Sequence, residues 1–132
     1  MEIRTEIRTE GRVPVAVIYV QGDINTLTFS DLEEVGRNLY EQGSRRMVLE
    51  LSQARYINSA GLRAVHTIYN LLRSNFPEEA DEMLRKRIGE NVRSRLLKLV
   101  GPNQNVRELL TTSGYDVFLE VHENLESAIQ SF

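Results

Sequence analysis

The chain has 132 residues, a formal net charge of −3 and a pI near 5.5, with 41% hydrophobic and 27% charged residues. That ordinary globular usage is enough for one hydrophobic core and one domain over residues 1–132, and it argues against disorder and fibrous repeats. The acidic balance offers no net basic face for phosphate backbones, so nucleic acid is not an expected partner, and the absence of cysteine rules out a disulfide framework.

Glu-Ile-Arg-Thr occurs twice at the start. As a strand it places Ile3, Thr5, Ile7 and Thr9 on one face and Arg4, Glu6, Arg8 and Glu10 on the other, which reads as a half-buried strand with a wet side. After a turn at Gly11 and Arg12, Val13 to Val20 is apolar on both faces, as an inner strand should be, with Pro14 confined to its beginning. Gln21 to Asn25 reads as a loop. Thr28 or Ser30 then caps a helix running to about Gln42, with Leu32, Val35, Leu39 and Tyr40 at helical spacing and Gly43 as its stop.

A third strand is predicted from Arg46 to Leu51, followed by a loop holding Tyr56, Ile57 and Asn58. A second helix begins near Ser59, with Leu62, Val65, Ile68, Tyr69 and Leu72 on its apolar side. The stretch 75–94 carries acid first and base last, which suits the dipole of a short, solvated helix inserted between core elements. Its basic residues have no aromatic among them to stack on bases. The remaining elements are a strand at Leu96 to Val100, a helix from about Asn103 to Thr112, a strand at Val117 to Val121 and a last helix near Asn124. Strands and helices alternate, so the fold class is α/β.

Three loop segments stand out: Gly22-Asp23-Ile24-Asn25, Asn58-Ser59-Ala60-Gly61-Leu62 and Ser113-Gly114-Tyr115. Gly22 and Gly61 suit sharp turns or close backbone approach, and Gly114 suits a left-handed helix end. Ser59 is a hydroxyl at a helix start, where unpaired amides and the positive dipole end favour an added phosphate; the plain alternative is that it is the N-cap. For Asn25 and Asn58 the plain alternative is a turn or capping role.

The run from Leu49 to Leu62 resembles the signature of the STAS family, in which a strand ends in a short loop and Asp-Ser-x-Gly-Leu opens a helix. Gly22-Asp23-Ile24-Asn25 is similar to the family's Gly-Glu-Leu-Asp. The segments Leu99-Val100-Gly101, Val106 to Leu110 and Ser113-Gly114-Tyr115 resemble its closing strand, helix and turn. The resemblance covers nearly the whole chain except 75–94, and it implies a mixed sheet of about five strands with four to five helices. Bacterial members bind an anti-sigma factor or serine kinase until the serine after the motif's aspartate is phosphorylated, and by position that serine is Ser59.

The resemblance thus implies an anti-sigma-factor antagonist, a binding protein without catalysis or cofactor. Its partner surface is expected at Asp23, Asn25, Asn58, Ser59, Ala60, Gly61 and Arg63, with Thr67 at the margin. Both family aspartates are asparagine here, Asn25 and Asn58, which keeps hydrogen bonding and removes charge. A second reading therefore stays open: a non-phosphorylated interaction module, such as a scaffold subunit or the cytoplasmic domain of an anion transporter.

Other chemistries find little to work with. There are two histidines, His66 and His122, so a zinc site is not expected. His66 lies seven residues beyond Ser59, roughly 10 Å along a helix axis, too far to serve a nucleophile as base. There is no Gly-rich phosphate loop of a kinase, and nothing points to a base pocket. No run approaches the ~20 apolar residues of a membrane span, and the N-terminus lacks the pattern of a secretory signal, so a cytoplasmic location is expected.

Overall fold

In the computed structural model, which describes residues 1–76 and 93–132, five strands form one sheet in the order β1-β2-β3-β4-β5. The strands are β1 (Glu2–Arg8), β2 (Val15–Ile24), β3 (Met47–Ile57), β4 (Leu97–Val100) and β5 (Glu120–His122). β1 runs antiparallel to β2, and β2 through β5 are mutually parallel. The helices described are α1 (Phe29–Glu41), α2 (Ser59–Arg73), α3 (Gln104–Thr112), the single turn α4 (Tyr115–Phe118) and α5 (Leu125–Gln130). This is the mixed α/β sheet expected. The helix expected within 75–94 falls mostly outside the described residues.

The sheet is buried on both faces because β2 and β3 are apolar at consecutive positions, as is β4 apart from the buried Lys98. Ala16, Ile18, Val20, Met47, Leu49, Leu51, Leu97 and Leu99 meet the apolar stripes of α1, α2 and α3 in the larger core. Val15, Val17, Val48 and Val100 meet Ala128 and Ile129 of α5 on the other face.

Three expectations change. Gln21 to Asn25 and the segment after Leu51 are not wholly loop: β2 and β3 stay paired to Ile24 and Ile57. Between Glu50 and Tyr56, β3 holds extra residues against β2, with register shifts after Tyr19 and Gly22. The bulges break the alternation by which a strand is read from sequence. Gly22 has a φ of 101° at one shift, and the Glu50 carboxylate accepts from Ser52 N–H at 2.7 Å at the other.

The strand expected at Val117 to Val121 is instead the turn α4 followed by a short β5. Gly114, with a φ of 79°, sets up that turn, and Tyr115 O–H donates to the Leu62 carbonyl at 3.2 Å. Finally, β1 is an edge strand whose expected inner face is only partly covered: Ile3 packs on the core, whereas Ile7 is 52% exposed.

Candidate functional site

The C-terminal ends of β2, β3 and β4 lead into α1, α2 and α3, so three loops meet at one end of the sheet, the usual place for a binding surface in parallel α/β folds. Each loop is fixed by a side chain bonded to backbone. Asn25 Oδ1 accepts from Leu27 N–H at 2.9 Å, and its carbonyl accepts from Thr28 and Phe29 N–H at 3.1 and 2.8 Å. Thr28 is the N-cap residue of α1, yet its hydroxyl donates to the Asp23 carbonyl at 2.8 Å and does not cap the helix. Asn103 caps α3 by accepting from Val106 N–H at 2.9 Å, while its Nδ2 donates to the Arg55 carbonyl at 3.1 Å and so ties α3 to the end of β3.

Asn58 is the N-cap of α2, its Oδ1 accepting from Gly61 N–H at 3.1 Å. Its own N–H donates to the Ile24 carbonyl at 3.2 Å, which joins the second loop to the first. Gly61 makes that junction possible: a Cβ there would stand 2.5 Å from the Ile24 oxygen and 2.5 Å from Ile57 Cγ1. No larger residue fits without moving backbone.

The N-cap role considered for Ser59 therefore belongs to Asn58. Ser59 is the first helical residue, exposed, and among the described residues its hydroxyl has no hydrogen-bond partner. The first turn of α2 contains no acidic residue, so nothing there neutralises the helix's positive end. Arg63, exposed and four residues on, lies on the same side of the helix as Ser59, with its guanidinium 5.9 Å from the Phe29 ring centroid.

Asp23 is occupied differently. Its carboxylate takes a two-pronged bond from Arg55, at 3.1 and 3.0 Å, which holds its pKa below the ordinary aspartate value. Its charge is thus matched across the β2–β3 pair. The structure brings Asn25, Asn58, Ser59, Ala60 and Gly61 together at the β2–α2 junction, and it gives Asp23 an internal ionic partner.

Two features escaped the sequence. Beside Ser59, Tyr56, Ile57, Asn58, Asn105, Val106 and Leu109 line an open crevice of about 330 Å³. Leu27, on the turn after Asn25, is 87% exposed, and Tyr56 is 51% exposed. Leu27 belongs to no apolar period, which was the available signal: a large aliphatic residue in a loop with no core to join.

Among the described residues no three His, Asp or Glu side chains group closely enough to hold a metal, and no helix is long and apolar enough to cross a membrane. His66 packs its ring near Tyr69, Tyr115 and Phe118, with centroids 6.0 to 6.2 Å away.

The STAS domain family profile matches residues 6–75, a span holding the β2–α1 turn, the bulged β3 and all of α2. The chain belongs to the STAS domain family. The fold of this STAS domain is shared with solved structures across 96% of its length. A putative anti-sigma factor antagonist from Thermotoga maritima superposes with a TM-score of 0.72 at 17% identity over 90% of its own chain. An anti-sigma factor antagonist from Mycobacterium paratuberculosis gives 0.68 at 19% over 91%, and the phosphorylated form of the Bacillus cell fate determinant SpoIIAA gives 0.59 at 15% over 96%. At these identities the likeness speaks for the fold alone.

Proposed function

We propose that this STAS domain is an anti-sigma-factor antagonist of the cytoplasm: a binding protein that sequesters an anti-sigma factor with serine-kinase activity and is released by phosphorylation of Ser59. The observation that carries this reading is the exposed Ser59 hydroxyl at the first position of α2, without a hydrogen-bond partner among the described residues and with capping already done by Asn58. A kinase reaches such a hydroxyl without unfolding the helix. The product, carrying about two negative charges, sits at the positive helix end and within reach of Arg63. The same charge, placed in an interface built on the Tyr56–Leu109 crevice and Leu27, adds desolvation cost and repels acidic groups of the partner.

One observation favours the second reading, a constitutive STAS interaction module such as a signalling scaffold subunit or an anion-transporter domain. Asn25 and Asn58 are both engaged in turn and cap bonds and carry no charge, so they present a kinase with a less acidic site than the family pattern. The two readings separate in a binding experiment with anti-sigma factors encoded beside this gene. The switch predicts that Ser59→Ala binds like wild type while Ser59→Asp loses at least tenfold in affinity, about 1.4 kcal/mol. Equal binding by all three chains contradicts the switch and favours the constitutive module.

A further inference from the structure

β1 is the outermost strand on its side of the sheet, and among the described residues nothing pairs with its outer edge. A seven-residue strand presenting free N–H and C=O groups is a template for another strand. Charged side chains on an edge strand ordinarily discourage such pairing, but those of β1 alternate in sign: Glu2, Arg4, Glu6 and Arg8 share one face, and Ile3, Thr5 and Ile7 share the other.

Read backwards, the strand is its own charge complement. An antiparallel copy centred on Thr5 sets Glu2 opposite Arg8, Arg4 opposite Glu6, Ile3 opposite Ile7 and Thr5 opposite Thr5. Directly opposite residues on one face of an antiparallel pair hold their Cβ atoms about 5 Å apart, close enough for each of these pairs to interact. The neighbouring registers that keep the same faces together are repulsive. Sliding by two residues one way opposes Glu2 with Glu6 and Arg4 with Arg4; sliding the other way opposes Arg4 with Arg8 and Glu6 with Glu6. Of the registers that keep these faces together and pair five or more residues of the strand, only the centred one avoids opposing like charges.

The exposure pattern fits the same partner. Ile7 is 52% exposed although it lies on the face that Ile3 buries against the core, and in the centred register it meets a second Ile3. On the charged face Arg8 already gathers Glu6 at 3.0 Å and Glu10 at 2.6 Å, and Arg4 lies over the Tyr19 ring at 4.4 Å. Tyr19 O–H also donates to Glu6 at 2.8 Å and Arg8 reaches Glu126 at 3.4 Å, so the charged face is already a connected ionic set that a second copy's charges would join.

We infer that the outer edge of β1 is a self-recognition surface: two copies of this chain pair antiparallel through Glu2–Arg8 about a two-fold axis at Thr5, making one continuous ten-stranded sheet. One pair of seven-residue strands is a small interface, so association is weak, concentration-dependent and reduced by salt. This surface is distinct from the Ser59 end, and the inference stands whatever that end binds.

Analytical ultracentrifugation of the full chain tests it. Wild type is expected to show a monomer–dimer equilibrium that shifts toward monomer at high salt. Glu2→Lys with Glu6→Lys, and separately Arg4→Glu with Arg8→Glu, are each expected to be monomeric, while an equimolar mixture of the two regains the dimer. Ile7→Lys replaces an exposed side chain, preserves the fold and is also expected to be monomeric, which keeps the test decisive should either double variant fail to fold by circular dichroism. A wild type that stays monomeric up to about 1 mM, an Ile7→Lys chain that associates like wild type, or folded double variants whose mixture remains monomeric would each overturn the inference.

Discussion

The loops around Ser59 and the buried polar group around Lys98 of β4 use serine to opposite ends. Lys98 is only 1% exposed; its Nζ donates to Ser131 Oγ at 2.7 Å, lies 3.3 Å from Glu120 and stands 4.4 Å from the Phe132 ring centroid. His122 bonds Glu120 through Nε2 at 2.9 Å and Ser127 through Nδ1 at 2.8 Å. This hydrogen-bonded set is closed on itself and fastens α5 to the sheet. At the α2 end, Asn58 and Asn25 complete the backbone's bonding, and the Ser59 hydroxyl remains outside that set. A serine in a closed network serves the fold; a serine left over at a helix start is available to something else.

The largest loss is expected at the seam that positions Ser59. Gly61→Ala drives a Cβ into the Ile24 carbonyl and Ile57, and urea unfolding followed by circular dichroism should show a loss of about 3 kcal/mol. A loss below about 1 kcal/mol would mean the junction yields and does not fix the loop.

The closed network is tested at Lys98. Lys98→Ala removes a buried stem and leaves Glu120 without its ammonium partner, a loss of about 2 kcal/mol; Lys98→Met keeps the stem and should stay within about 1 kcal/mol of wild type. Burial pushes the Lys98 pKa down, and Glu120 only partly opposes this. Between that lowered value and the usual lysine value near 10.4, the unfolded chain binds more protons than the folded one, so stability from this group rises with pH. Wild type should therefore gain on Lys98→Met as pH climbs toward about 10, as read from urea midpoints; an unchanging difference would place the ammonium in solvent.

Asn58→Ala should destabilise by about 1 kcal/mol through loss of the α2 cap, and Asn58→Asp should restore it, because a carboxylate accepts the same Gly61 N–H and suits the helix dipole. The smallest effect belongs to Asp23. Its pKa is lowered by Arg55, so the pair's contribution is present above the ordinary aspartate value and is lost as pH falls through the lowered one. Arg55→Ala should flatten that part of an acid-unfolding curve, and an unaltered curve would show the pair to be inert.

Much of this was legible in the chain. The unbroken apolar run at Val15–Val20 and the run Met47–Leu51, interrupted only by Glu50, foretell strands buried on both faces, and helical spacing places α1 and α2 correctly. The position of Ser59 at a helix start was legible as well. Its freedom from capping was not, because serine and asparagine are about equally good caps and only geometry shows Asn58 taking the Gly61 amide. The bulged ends of β2 and β3 hide because each extra residue reverses the inside–outside alternation. The turn α4 hides because Val117, Leu119 and Val121 alternate like a strand, while a left-handed Gly114 and Tyr115's bond to α2 decide otherwise. The crevice beside Ser59 joins residues some fifty positions apart, which no local pattern reveals.

If Ser59 is the switch proposed above, its hydroxyl is held out for modification. Intact-mass and phosphopeptide analysis of the protein from its native host, with and without co-expression of neighbouring serine-kinase genes, tests it most directly. A single phosphate on Ser59 is expected, appearing with the kinase and absent from Ser59→Ala; a Ser59 that stays unmodified with every such kinase, or a phosphate that persists in Ser59→Ala, would rule the switch out.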